Sequence, residues 1–109
     1  NDIIVLGATG LREDHSIGNV FRALDLDVEI ITQSGRFIPV SDTIVLNVKK
    51  GCAISIFAPD KTTVMTSEGL QWSLNEVKFD KIYTATLNRA SKSRVRLTTT
   101  KKVSVFVCE

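Results

Sequence analysis

The sequence predicts a mixed fold: a terminal βαβ piece of a parallel-sheet α/β domain over residues 1–33, followed by an antiparallel β-sandwich over residues 34–109. Three observations carry this reading. The apolar run Ile3, Ile4, Val5, Leu6 is followed by Gly7 and Gly10, then by Ile17, Val20, Phe21 and Leu24 at the spacing of one helix face. Val28 to Thr32 then reads as a second buried strand, and strand, glycine turn, helix, strand is the order of a parallel βαβ unit. From Arg36 onward the periodicity falls to two, with turn residues about every eight to twelve positions, the pattern of a sandwich or barrel.

Taken in order, the helix is expected to end near Leu26, where Asp25 and Asp27 interrupt the apolar series. Gln33, Ser34 and Gly35 form a turn. Ile44, Leu46 and Val48 alternate along the next strand, and Lys49-Lys50-Gly51 turns the chain. Cys52, Ile54 and Ile56 share one face of a strand, with Ser55 and Phe57 on the other. Ala58-Pro59-Asp60-Lys61 is a turn whose aspartate can bond local backbone. Val64 to Ser67 is a short strand. Leu70, Trp72 and Leu74 are expected to point one way, and Ile82 to Leu87 to be extended. Arg94 to Thr98 and Val103 to Cys108 are expected to pair as a hairpin.

The totals exclude several classes. At 109 residues the chain can form one ordinary domain, burying roughly 60 to 70% of the surface exposed when unfolded. Charged residues at 24% and hydrophobic ones at 43% place it with globular rather than disordered chains. No apolar run approaches the roughly 20 residues that span a bilayer. A net charge of +2 is too small to argue for nucleic acid. Cys52 and Cys108 lack a metal-ligand spacing, which fits buried thiols and a cytoplasmic setting. The chain starts at Asn1 and enters a strand within two residues, so it is expected to be the C-terminal portion of a longer protein.

Between the first strand and the helix sit Arg12, Asp14 and His15, where main-chain N–H groups and the positive end of a helix dipole converge. An anion, most simply a phosphate, can bind such a turn. Arg12 would supply a planar fork of donors, and Asp14 either a helix cap or a hard ligand for Mg²⁺. The alternative is a purely structural turn. Trp72, the only tryptophan, can stack a flat ring or pack in the core. The lysine pairs Lys49-Lys50 and Lys101-Lys102 read as turn and edge charges. Arg89, Lys92, Arg94 and Arg96 can attract a phosphate tail or a nucleic-acid backbone, or form a solvated hairpin.

Gly7-Ala8-Thr9-Gly10-Leu11-Arg12-Glu13-Asp14-His15 with Asn19 resembles the G-A-x-G-x-R-x-D-H-x-x-x-N signature of thiamine pyrophosphokinases. Thr66 to Leu74, T-S-E-G-L-Q-W-S-L, resembles the family's T-x-G-L-x-W-x-L segment. Thr84 to Asn88 falls where the family carries an S-T-S-N turn, although Ala85 and Leu87 replace hydroxyl residues. The resemblance implies transfer of a diphosphate from ATP to the hydroxyl of thiamine, giving thiamine diphosphate and AMP. It also implies Mg²⁺ as cofactor and a homodimer whose thiamine pocket lies between subunits.

On that resemblance Arg12 and Asp14 would be catalytic, with Asp14 on the metal. Gly7, Gly10, Arg12 and Asn19 would hold the nucleotide phosphates, and Ser67, Leu70, Trp72 and Asn88 would bind thiamine. A first-turn histidine such as His15 is more often a structural hydrogen-bonder than a base. Most acidic Mg²⁺ ligands of the family lie upstream of the glycine turn, so this chain alone is expected to lack activity. The alternative function is a non-catalytic β-sandwich that holds a small ligand or a partner.

Overall fold

A computed structural model describes residues 4–6, 22, 24–78 and 85–108. Their sheets are built from ten strands: β1 (Ile4–Leu6), β2 (Glu29–Ile31), β3 (Gly35–Val40), β4 (Thr43–Asn47), β5 (Ala53–Phe57), β6 (Val64–Glu68), β7 (Val77–Lys78), β8 (Ala85–Arg89), β9 (Arg94–Thr99) and β10 (Val103–Cys108). One sheet has the order β1-β2-β3-β10-β5-β8, and the other the order β4-β9-β6-β7.

β1 and β2 pair parallel, with Ile4 opposite Glu29 and Leu6 opposite Ile31. Of the expected βαβ unit, the described residues thus supply both strands and the end of the helix. Arg22, Leu24 and Asp25 are helical, and the Leu26 N–H donates to the Arg22 carbonyl at 3.1 Å. Asp27, at φ 56°, then stops the helix, as the aspartates around Leu26 imply. Leu24 faces inward and Leu26 outward.

β2 continues into β3 as an antiparallel neighbour, with Ile30 opposite Phe37 and Ile31 opposite Arg36. Thr32 shapes the link: its Oγ1 accepts the Ser34 and Gly35 N–H groups at 3.3 and 3.1 Å. Gly35 is needed because a Cβ there would stand 2.1 Å from the Val107 carbonyl oxygen on β10. One sheet therefore holds strands from both sides of residues 33 and 34.

The sandwich core lies between the two sheets. From the six-stranded sheet come Ile38, Val40, Ile54, Ile56, Val103, Val105 and Val107; Leu46, Met65, Val95 and Leu97 come from the other. Period two explains the division, since each second side chain of a strand turns to the same face. On the outer face of the six-stranded sheet Phe37 packs on Phe106, with ring centroids 4.9 Å apart, beside Val28 and Ile30.

The expected hairpin of Arg94–Thr98 with Val103–Cys108 does not form. β9 pairs with β4 and β6, whereas β10 pairs with β3 and β5 in the opposite sheet. Both strands present a fully buried apolar row, Val95 and Leu97 against Val103 and Val105. Placing them in opposite sheets lets the two rows cover each other, and residues 100–102 form a corner between sheets. The Thr99 hydroxyl fixes that corner by donating to the Lys101 carbonyl at 2.7 Å. Lys102 is more than an edge charge: its Nζ lies 2.9 Å from Asp27 Oδ1.

The Pro59 turn behaves as its sequence implies. Asp60 Oδ1 accepts the Thr62 N–H at 2.8 Å and the Thr62 hydroxyl at 2.6 Å. Those bonds hold the Asp60 carboxyl below the usual carboxylate range. The lowered value means that the carboxylate favours the folded state at neutral pH and that this contribution disappears as pH falls through the carboxylate range. The difference in melting temperature between the native chain and Asp60→Asn should therefore shrink on acidification, as read by thermal unfolding in a pH series.

Leu97, which has no exposed surface, sits at the middle of the core. Leu97→Ala should lower unfolding free energy by about 2–5 kcal/mol, seen as a lower urea midpoint.

Candidate functional site

At the end of β6 the chain must turn sharply to run beside β8. Gly69 does so at φ +93°, and a Cβ there would stand 2.4 Å from the Arg94 carbonyl oxygen, so both space and conformation select glycine. Residues 70–76 then form an arch, not the strand expected from Leu70, Trp72 and Leu74. The reason is visible in the burial: Leu70 and Leu74 enter the core at 3% and 7% exposure, while Trp72 is 56% exposed. The three residues do not share a face.

Main-chain bonds fasten one foot of the arch. The Gln71 N–H donates to the Arg89 carbonyl at 2.8 Å, and the Ser91 N–H donates to the Gly69 carbonyl at 2.7 Å. At the other foot, the Leu74 N–H donates to Ser67 Oγ at 2.7 Å and the Ser67 N–H donates to the Leu74 carbonyl at 2.9 Å. Between them the Asn88 amide grips Trp72 itself. Its Oδ1 accepts the Trp72 N–H at 3.1 Å, and its Nδ2 donates to the Trp72 carbonyl at 2.8 Å. A single side chain supplies the donor and acceptor that a neighbouring strand would otherwise provide. Asn88 is 4% exposed, so this grip is shielded from competing water.

β8 has its own irregularity. Ile54 pairs with Asn88 and Ile56 with Ala85, which leaves a bulge on the β8 side. Leu87 occupies it at φ 61° and 82% exposure, held by its N–H donating to Ser55 Oγ at 2.9 Å. The residue adjoining Asn88 in sequence is thus a second large apolar group turned to solvent. The sequence pattern marks Leu87 as the end of an extended stretch and as a missing hydroxyl; nothing in it signals the bulge.

Of the four residues expected on the thiamine side, Trp72 alone presents its side chain outward. Ser67 and Asn88 hold the arch, and Leu70 lies beneath it. Gly7, Gly10, Arg12, Asp14, His15 and Asn19, expected to hold phosphate and metal, lie outside the described residues, as does Thr84. Among the described residues, no three His, Cys, Asp or Glu side chains are placed to hold a metal ion. No helix among them is long and apolar enough to cross a membrane.

A separate cleft of about 800 Å³ opens at one end of the sandwich, walled by Leu46, Val48 and Val107 with Arg36, Cys52 and Cys108. Ser67, Leu70, Trp72 and Asn88 do not line it. Both cysteines are thiols, and burial, with Cys108 nearby, pushes the Cys52 thiol above its ordinary value.

Two sheets packed around one apolar core define a β-sandwich. The family of the thiamin pyrophosphokinase substrate-binding domain matches residues 35–106, and the chain belongs to that family. Comparison with curated proteins gives no match. Among solved structures, thiamin pyrophosphokinase from Candida albicans superposes with a TM-score of 0.84 at 14% identity, covering 98% of this chain and 44% of that one. Thiamine pyrophosphokinase from Bacillus subtilis gives 0.76 at 18% identity, covering 99% and 55%. The yeast enzyme gives 0.75 at 13% identity, covering 96% and 39%. At such identities these likenesses concern the fold, and the chain spans about half the length of the structures it matches, or less.

The Asn88 grip generates a specific expectation. Asn88→Ala leaves a main-chain donor and acceptor unmet, at a cost of about 1–3 kcal/mol for each buried group. Asn88→Asp keeps the acceptor but sets a carboxylate oxygen against the Trp72 carbonyl. Both variants should expose residues 69–76 to limited proteolysis while leaving far-UV circular dichroism nearly unchanged.

Proposed function

We propose that this chain is the thiamine-binding β domain of a thiamine pyrophosphokinase, in which the whole protein transfers diphosphate from ATP to thiamine. The observation that carries this reading is Trp72, the sole tryptophan, turned outward on an arch locked by Ser67 and Asn88 within the segment that matches the family. A cationic thiazolium stacked on an indole gains about 0.5–2 kcal/mol, and a platform that is already rigid loses little freedom on binding.

In the proposed reaction the thiamine hydroxyl oxygen attacks the β-phosphorus of ATP, its proton departs, and the bond to the α-phosphate oxygen breaks to release AMP. Such a transfer asks the protein chiefly for alignment and charge compensation. We assign alignment of thiamine to Trp72, with Asn88 and Ser67 as positioning residues and Leu70 supporting the arch from below. Arg12 is assigned to the ATP phosphates, with Gly7, Gly10 and Asn19 shaping their turn. Asp14 is assigned to Mg²⁺, which when bound would neutralise phosphate charge. We further propose that two copies assemble so that the Trp72 face of one meets the nucleotide-binding part of the other. The thiol state of both cysteines fits a reducing, cytoplasmic setting.

In the full-length protein, thiamine should quench Trp72 fluorescence. Trp72→Ala should raise KM for thiamine about two- to thirtyfold, the equivalent of a cation–π contact, with little change for ATP. Arg12→Ala should do the reverse. Trp72 emission that does not respond to saturating thiamine would remove the reading.

A further inference from the structure

The basic cluster picked out in the sequence divides in the structure. Arg89 turns away, its Nη1 donating to the Gly51 carbonyl at 3.1 Å. Lys92, Arg94 and Arg96 instead converge with Glu68 and Gly69 on a cleft of about 340 Å³. The register explains the convergence. Arg94 and Arg96 are alternate residues of β9 and so share its outer face, and Glu68 of β6 lies opposite Arg96. Gly69 brings the base of the arch against Arg94, which closes one wall of the cleft.

Among the described residues, three cations thus face one carboxylate. All three are exposed, and none makes an ion pair or side-chain hydrogen bond among the described residues, not even Arg96 with the Glu68 opposite it. Like charges brought together without a partner repel, and the arrangement is relieved by a compact polyanion that bridges them. Two guanidinium groups on one face offer planar forks suited to phosphate oxygens, and the lysine adds a point charge. The small cleft, the carboxylate within it and the modest net charge of +2 do not match the extended basic footprint of a nucleic-acid surface.

We propose that Lys92, Arg94 and Arg96 form a binding site for a diphosphate group, distinct from the glycine turn assigned to ATP. This inference stands apart from the thiamine reading, and either can fail without the other.

The test is calorimetric titration of inorganic diphosphate, and separately of an organic diphosphate ester, into the protein carrying Arg12→Ala, which disables the other expected phosphate contact. Backbone amide shifts are followed in parallel. Saturable binding at one site per chain is expected, with shifts confined to residues 68–69 and 92–96. Arg94→Ala with Arg96→Ala should weaken it about tenfold or more, since each removes a charge-assisted contact, whereas Arg89→Ala should leave it unchanged. Tighter binding of the ester would assign the site to an organic diphosphate, and equal binding to the inorganic ion. No saturation at millimolar diphosphate, undiminished binding in the double variant with an unchanged melting temperature, or preferential binding of single-stranded or duplex nucleic acid would overturn the proposal.

Discussion

The structure depends on two apolar rows covering one another. Val95 and Leu97 on β9 and Val103 and Val105 on β10 are fully buried because their strands lie in opposite sheets, joined by a corner at residues 100–102. The same constraint recurs along the chain: β3, β4, β5 and β6 fall alternately in the two sheets. Strands so arranged find core neighbours far away in sequence, which ties Gly35–Val40 to Val103–Cys108 and Thr43–Asn47 to Arg94–Thr99. Local turns only have to cross the core's thickness. The arch that carries Trp72 combines both kinds of support, one foot bonded to Arg89 and Ser91 and the other closed locally between Ser67 and Leu74.

The arch separates two demands that usually conflict. An indole buried in the core is rigid but inaccessible, and one on a loose loop is accessible but mobile. Here Leu70 and Leu74 are buried on either side, the main chain is held by Ser67 and Asn88, and the ring remains open to solvent. Asn88 suits this task because an amide carries a donor and an acceptor side by side, matching the N–H and C=O of one residue.

Much of this was legible in the residues, and the parts that were not share a cause. Period two located β4, β5, β6 and β10 closely, since alternation records which face of a strand is buried. The end of the helix near Leu26 was legible from its aspartates, and Asp60 from its turn chemistry. What alternation does not record is the partner of a strand, so the neighbouring segments 94–98 and 103–108 look like mates although each pairs with distant strands. The two-residue strand β7 is too short to show a period. Trp72 kept the spacing of Leu70 and Leu74 but not their direction, because the arch abandons strand geometry after Gly69. The Leu87 bulge arises from the register between β5 and β8, which no local pattern contains. The segment that carries the family resemblance, Thr66 to Leu74, contains residues that build the arch, although its spacing reads as a strand.

The sheet that joins β1, β2 and β3 has a mechanical meaning. Leu6 lies level with Ile31, Ile31 with Arg36, Arg36 with Val107 and Val107 with Ile54, one unbroken rung from the first strand to the middle of the sandwich. Displacing the first strand from the sandwich would therefore require breaking main-chain pairings of this one sheet.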